Sequence, residues 1–200
     1  MATITISRQL GSLGTDVANA LGRRLGYRVV WRELINQAAL RSGMPQVALA
    51  TIDELGLLGL HPSAQERQAY HDAVRQVIEG LAAEGQVVIV GRAGQVILRD
   101  RPAVLHVRVM APATVRADRV ARTHRVSLEA AYEQVLASDR ARSNYLRRYY
   151  HARWDDPELY DLIVNTARLE PESAAELICQ ALEHMQPDAQ KESAGHEDEP

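Results

Sequence analysis

Residues 3–18 read TITISRQLGSLGTDVA, and the fold follows from how this stretch changes character along its length. Thr3 to Ile6 alternate as a strand does. Gly11, Ser12, Leu13, Gly14 and Thr15 then make a glycine-containing turn, and a helical pattern starts at once. A strand that leaves such a turn as a helix aims free backbone N–H groups and the positive end of a helix dipole at one point, which favours phosphate. The complete phosphate-loop pattern, GxxxxGK[ST], is not met: Gly14 stands in the lysine's place, and the single lysine of the chain is Lys191. A plain strand-to-helix turn, with glycines for close packing, explains the stretch about as well.

Outward from the loop, strands and helices alternate. Val17, Leu21 and Leu25 predict a helix over 15–25, closed by Gly26. Tyr27 to Trp31 reads as a second strand and Glu33 to Arg41 as a helix, while Val47 to Pro62 suggests a short helix and a loop. Tyr70, Val74, Val77, Ile78 and Leu81 place one apolar stripe on a helix over 65–84. Val87 to Val90 is wholly apolar, as in a parallel strand buried on both faces. It runs into Gly91-Arg92-Ala93-Gly94 and a short helix. Val104 to Met110 predicts a strand, Pro112 the first residue of a helix to His124, and Ser127 the cap of a long helix. Tyr160 to Val164 reads as the last strand and Pro171 opens a helix to about Met185. Long crossovers between strands imply a parallel sheet covered by helices on both faces, with ligands at the C-terminal strand ends.

The chain has 200 residues, 46% of them hydrophobic, which suffices for one substantial core. No apolar run is long enough to span a bilayer, and the N-terminus enters a strand without a secretion-type leader. A single cysteine, Cys179, lies in an apolar helical pattern and reads as buried and inert. These features fit a cytoplasmic protein without a membrane partner. The chain carries 23 basic and 26 acidic residues; five acids and Lys191 fall in the tail 186–200, which reads as disordered. The remainder, with 22 basic against 21 acidic residues, lacks the excess of a protein that coats nucleic acid. Its cations are all arginine, whose planar fork suits phosphate.

The long helix carries a second clue. Its apolar stripe, Leu128, Ala131, Tyr132, Val135 and Leu136, continues through Asp139 and Arg142 to Leu146 and Tyr149. Charges on an inward stripe must pair or face a ligand. Asp139 and Arg142 could satisfy each other at i, i+3, or both could face a cleft, a reading favoured by Arg140, Arg147 and Arg148 nearby. Arg116 and Arg119 lie one turn apart on the preceding helix, and the two helices together resemble a lid over phosphates.

With these blocks in place the chain resembles the cytidylate kinase-like family, a branch of the P-loop nucleoside monophosphate kinases. The similarity runs from residue 3 to about 185. It rests on ITISRQLGSLG, WRELI (31–35), VVIVGRAGQVILRDRP (87–102), APxxxRxxR (111–119), SDRAR (138–142) and YDLIVNTARL (160–169). The resemblance implies an α/β, P-loop-type three-layer fold with a five-stranded parallel sheet. It implies a single domain over 1–185 with a helical lid at about 112–153. It also implies a kinase that moves a phosphoryl group from ATP, with Mg2+, to a nucleoside monophosphate of cytidylate type. Arg8, Gly11, Ser12, Gly14 and Thr15 would meet the ATP phosphates, with Thr15 also offering its hydroxyl to Mg2+. Arg92, Asp139 and Asn165 would hold the acceptor nucleotide, and Arg116, Arg119 and Arg142 would close on the phosphates as the catalytic set.

The departures from the family pattern define the alternative. Leu13 replaces a glycine and Thr15 an arginine of the family's loop; Trp31 and Ala93 replace acids, and Asn165 stands where an Asp is usual. Val90 ends the third strand without the acid that would anchor Mg2+. The second reading is therefore a weak or inactive nucleotide- or phosphate-binding protein derived from such a kinase. A third, nucleic-acid binding through Arg140 to Arg153, ranks below both.

Overall fold

The computed structural model describes residues 2–31, 36 and 64–185. Five strands form one parallel sheet: β1 (Thr3–Arg8), β2 (Arg28–Val30), β3 (Val87–Val90), β4 (Val104–Met110) and β5 (Leu162–Asn165). Their order is β2-β3-β1-β4-β5, so the first strand is the central one. The described helices are α1 (Gly14–Leu25), α2 (Ala64–Glu84), α3 (Gly94–Ile97), α4 (Ala113–His124), α5 (Leu128–Tyr150) and α6 (Pro171–Glu183). A 3-10 turn, Pro157–Leu159, precedes β5.

Helices cover both faces of the sheet, and β3, apolar throughout, is buried along its whole length. On one face Ile4, Ile6, Val88, Val90, Val107 and Val109 pack with Val17 and Leu21 of α1 and Ile178 and Cys179 of α6. On the other, Val87 and Ile89 meet Tyr70, Val74 and Ile78 of α2, Ile97 of α3 and Tyr145 and Leu146 of α5. The α4–α5 hairpin has a small core of its own, Ala117, Val120, Ala131 and Val135. Cys179 is buried, and burial raises its thiol pKa, so it is a packing residue.

Local signals act as their chemistry dictates. Gly26 ends α1 at φ 67, and its N–H donates to the Gly22 carbonyl. Ser127 caps α5 by accepting from the Ala130 N–H at 3.2 Å. Several expected boundaries move. The second strand is Arg28–Val30 rather than 27–31, the last is Leu162–Asn165 rather than 160–164, and α6 stops at Glu183. Pro112 is the N-cap of α4 instead of its first residue: its ψ of 142° is extended. The stripe of α5 starts at Ala131, since Leu128 is 60% and Tyr132 38% exposed. The expectations for 33–41 (Asn36 excepted), 47–62 and the tail lie outside the described residues. Among the described residues no helix is long and apolar enough to cross a membrane.

Candidate functional site

The C-terminal ends of β1 and β3 meet two adjoining cavities. The larger, about 280 Å³, lies over the loop after β1; Leu10, Gly11, Gly14, Thr15 and Asp16 line one side and Arg119 and Thr123 of α4 the other. The smaller, a narrow cleft of about 20 Å³, lies beside β3, lined by Gly91, Arg92, Gln95, Tyr145 and Trp154. Arg8 and Arg142 line both. Two cations thus stand where the cavities meet.

The loop has a forced geometry. Gly11 sits at φ 77, and a Cβ there would lie 2.6 Å from the Arg116 carbonyl oxygen, so α4 approaches too closely for any side chain. Leu13 holds φ 59 and ψ 15, a left-handed conformation that strains a residue with a Cβ. It is the N-cap of α1 and makes no side-chain cap bond to the first turn, whose Gly14, Thr15 and Asp16 line the cavity. Ser12 is buried, and its hydroxyl donates to the carbonyls of Gln9 (2.9 Å) and Val109 (3.1 Å). It braces the loop from behind and does not line the cavity. Thr166 adds a second brace: its hydroxyl donates to the Ser12 carbonyl at 2.8 Å.

The arginines divide into two kinds. Arg119 reaches the loop and the end of β5 together, donating to the Gly11 carbonyl (3.3 Å) and the Thr166 carbonyl (2.7 Å) while lining the larger cavity. Arg142 donates to the carbonyl and hydroxyl of Ser138 one turn back and lines both cavities. Arg116 differs from the expectation of a phosphate-closing residue. It is 3% exposed and lines neither cavity; its donors go to Ala111 (2.8 Å), Leu10 (3.3 Å) and the Asp139 carboxylate (3.2 and 2.7 Å). Asp139 therefore pairs with Arg116 and not with Arg142. It also accepts from Gln9 Nε2 at 3.4 Å, and it too lines neither cavity. Asn165 is exposed, its Oδ1 accepts from the Ala167 N–H at 3.0 Å, and it lines neither cavity.

Arg92 is wholly buried at the floor of the smaller cavity. One Nη donates to Asn36 Oδ1 at 2.9 Å, and its guanidinium lies 5.7 Å from the Tyr70 ring centre. Arg92 and Ala93 hold consecutive positive φ values, 55 and 56, so the turn that presents this cation is strained. Trp154, which sequence reasoning missed, forms the opposite wall. Its indole N–H donates to Ser7 Oγ at 2.8 Å; its carbonyl accepts from Tyr160 OH at 2.8 Å and from buried Arg108, whose guanidinium lies 4.7 Å from the indole ring. The one available signal was a lone tryptophan in the polar segment after a long helix.

The site is thus two joined, arginine-lined cavities at the end of a parallel sheet, one of them over a helix N-terminus. Arginine forks and a helix N-terminus together are the chemistry that suits phosphate.

Comparison with known proteins agrees with this architecture. A cytidylate kinase from Pyrococcus horikoshii is 30% identical over 92% of this chain and 90% of its own length. One from Thermococcus sibiricus has the same identity and coverage. Among solved structures, an uncharacterized protein from Eubacterium ventriosum shares the fold with a TM-score of 0.73 and 20% identity, over 92% of this chain and all of that one. Shikimate kinase from Acinetobacter baumannii shares it with a TM-score of 0.53 and 12% identity, over 91% and 93%. The fold is that of the P-loop kinases. The model of the cytidylate kinase-like family matches residues 3–168, and the chain belongs to that family.

Proposed function

We propose that the protein is an ATP-dependent nucleoside monophosphate kinase whose acceptor is a cytidylate-type nucleotide. The observation that carries this reading is the pair of cavities meeting at Arg8 and Arg142. ATP would lie over Gly11–Thr15 with its triphosphate at the first-turn amides and Arg119. The acceptor phosphate would approach from the cavity over Arg92, with Trp154 and Tyr145 as its walls. The pyrimidine preference is taken from the named relatives.

Transfer breaks the bond between the γ-phosphorus and its bridging oxygen and forms one to an oxygen of the acceptor phosphate, giving ADP and a nucleoside diphosphate. Such a reaction needs alignment and charge neutralisation rather than covalent help from the protein. Arg8 and Arg142, between the cavities, are placed to offset charge on the group in transit. Mg2+ bound to the phosphates would share that task. Thr15, exposed on the first turn of α1, and Asp16 beside it line the donor cavity, and their oxygens would hold the ion. Residues 112–153 act as a lid in this reading.

Incubation of folded protein with γ-labelled ATP, Mg2+ and each nucleoside monophosphate tests the proposal. Label should pass to CMP or a close relative. An unchanged nucleotide pool after long incubation would refute it. The loop without lysine and the apolar Val90 at the end of β3 motivate the second reading, a binding protein without turnover. That reading expects ATP affinity indifferent to Mg2+.

A further inference from the structure

Laid on residues 8–15, the phosphate-loop pattern asks for glycine at 8 and 13, lysine at 14 and a hydroxyl at 15. The chain has Arg8, Leu13, Gly14 and Thr15. The cation of the pattern is missing at 14, and a cation stands at 8, where the pattern has none. The structure joins the two changes. A Cβ built on Gly14 would lie 2.4 Å from Arg8 Cβ and 3.0 Å from Arg8 Cγ. The backbone at Gly14 is ordinary right-handed helix, so conformation does not demand a glycine there. What excludes a side chain is the arginine stem crossing it.

We infer that Arg8 replaces the loop lysine in both space and charge, through a reciprocal exchange in which glycine and cation have traded positions 8 and 14. Arg8 closes β1, passes over the start of α1 and lines both cavities, so its charge serves the boundary between donor and acceptor. Leu13 and Arg8 then mark one altered loop, not independent losses. The guanidinium keeps its charge at every working pH and offers a fork in place of a point charge, so one residue can bridge two phosphate oxygens. The inference rests on the kinase reading for its ligand, a nucleotide triphosphate, but its steric half does not.

Two measurements test it. The first is calorimetric titration of wild type, Arg8→Gln and the double variant Arg8→Gly/Gly14→Lys with ATP and with inorganic tripolyphosphate, each with Mg2+. Arg8→Gln should weaken both ligands about 10- to 100-fold, the range for losing a charge-assisted contact. The double variant should recover most of that loss. The second needs no ligand: Gly14→Ala should lower the melting temperature in the wild-type background and leave it unchanged or higher in an Arg8→Gly background, where Cβ and Cγ are gone. Wild-type affinity for neither ligand would overturn this inference and the kinase reading together. Binding that survives Arg8→Gln intact would overturn the inference alone, as would a Gly14→Ala penalty that persists without Arg8. If the double variant does not fold, the Arg8→Gln and Gly14→Ala arms decide between these outcomes.

Discussion

Asp139→Ala removes the carboxylate that pairs with Arg116 among the described residues. The guanidinium would keep its bonds to the Ala111 and Leu10 carbonyls but lose two to Asp139, at 2.7 and 3.2 Å, while remaining 3% exposed. A surface pair would contribute about 0–1 kcal/mol, but breaking a buried one costs about 3–5 kcal/mol because a charge is left without its partner. Asp139 is 22% exposed, so water can enter the vacated place, and the low end applies: about 3 kcal/mol. For a chain of this size that lowers the melting temperature by about 6–12 °C. Asp139→Asn retains one acceptor and should lose about half as much, roughly 1.5 kcal/mol. Replacing both partners, Arg116→Met with Asp139→Leu, should return stability to near wild type, since no buried charge then remains. Thermal melts followed by circular dichroism read all three. A loss below about 1 kcal/mol for Asp139→Ala, the range of a surface pair, would refute the reasoning. A double variant as unstable as Asp139→Ala would refute it too.

Leu13→Gly should raise stability by about 0.5–1 kcal/mol in urea titration, because relief of a left-handed Cβ outweighs glycine's added chain entropy. Trp154→Phe should cost about 1–2 kcal/mol in the same assay, since Ser7 Oγ loses its indole donor inside the structure. His106 supplies a pH dependence. Burial lowers its pKa from 6.5, against the opposing pull of Asp161 and of a backbone bond to Leu98. The unfolded chain therefore takes up the proton first, and stability should fall as pH drops through about 6.5. Melts between pH 5 and 8 should show this slope, and His106→Gln should flatten it.

The parts of the fold legible in the sequence were those set by neighbours in the chain. Four successive apolar residues between Gly85 and Gly91, Val87 to Val90, fit a strand covered on both faces, and they form one. Gly26 and Ser127 end and begin helices because a missing Cβ and a short hydroxyl act within one turn. The site was less legible because its partners come from far away. Periodicity offered Arg142 to Asp139, one turn along the same helix, whereas the partner is Arg116 from the other helix of the hairpin. Asn165 matched a family position, yet its side chain is held by the turn that follows it. Nothing in a leucine signals a left-handed backbone, so the strain at Leu13 needed coordinates. The exposure of Leu128 and Tyr132 follows from how α5 rotates to meet α4, which one helix's pattern cannot specify.

The central place of β1 has a consequence for how the chain reaches this form. Thr3 pairs with Val87 on one side and with Val104 on the other, 84 and 101 residues later. β1 therefore has no strand partner until β3, 84 residues further along, has been made. Closing such distant pairings slows folding, and until β3 and β4 arrive both borders of β1 are open to wrong partners. The loop after β1, braced by Val109 and Thr166, can take its shape only after those distant residues have been made.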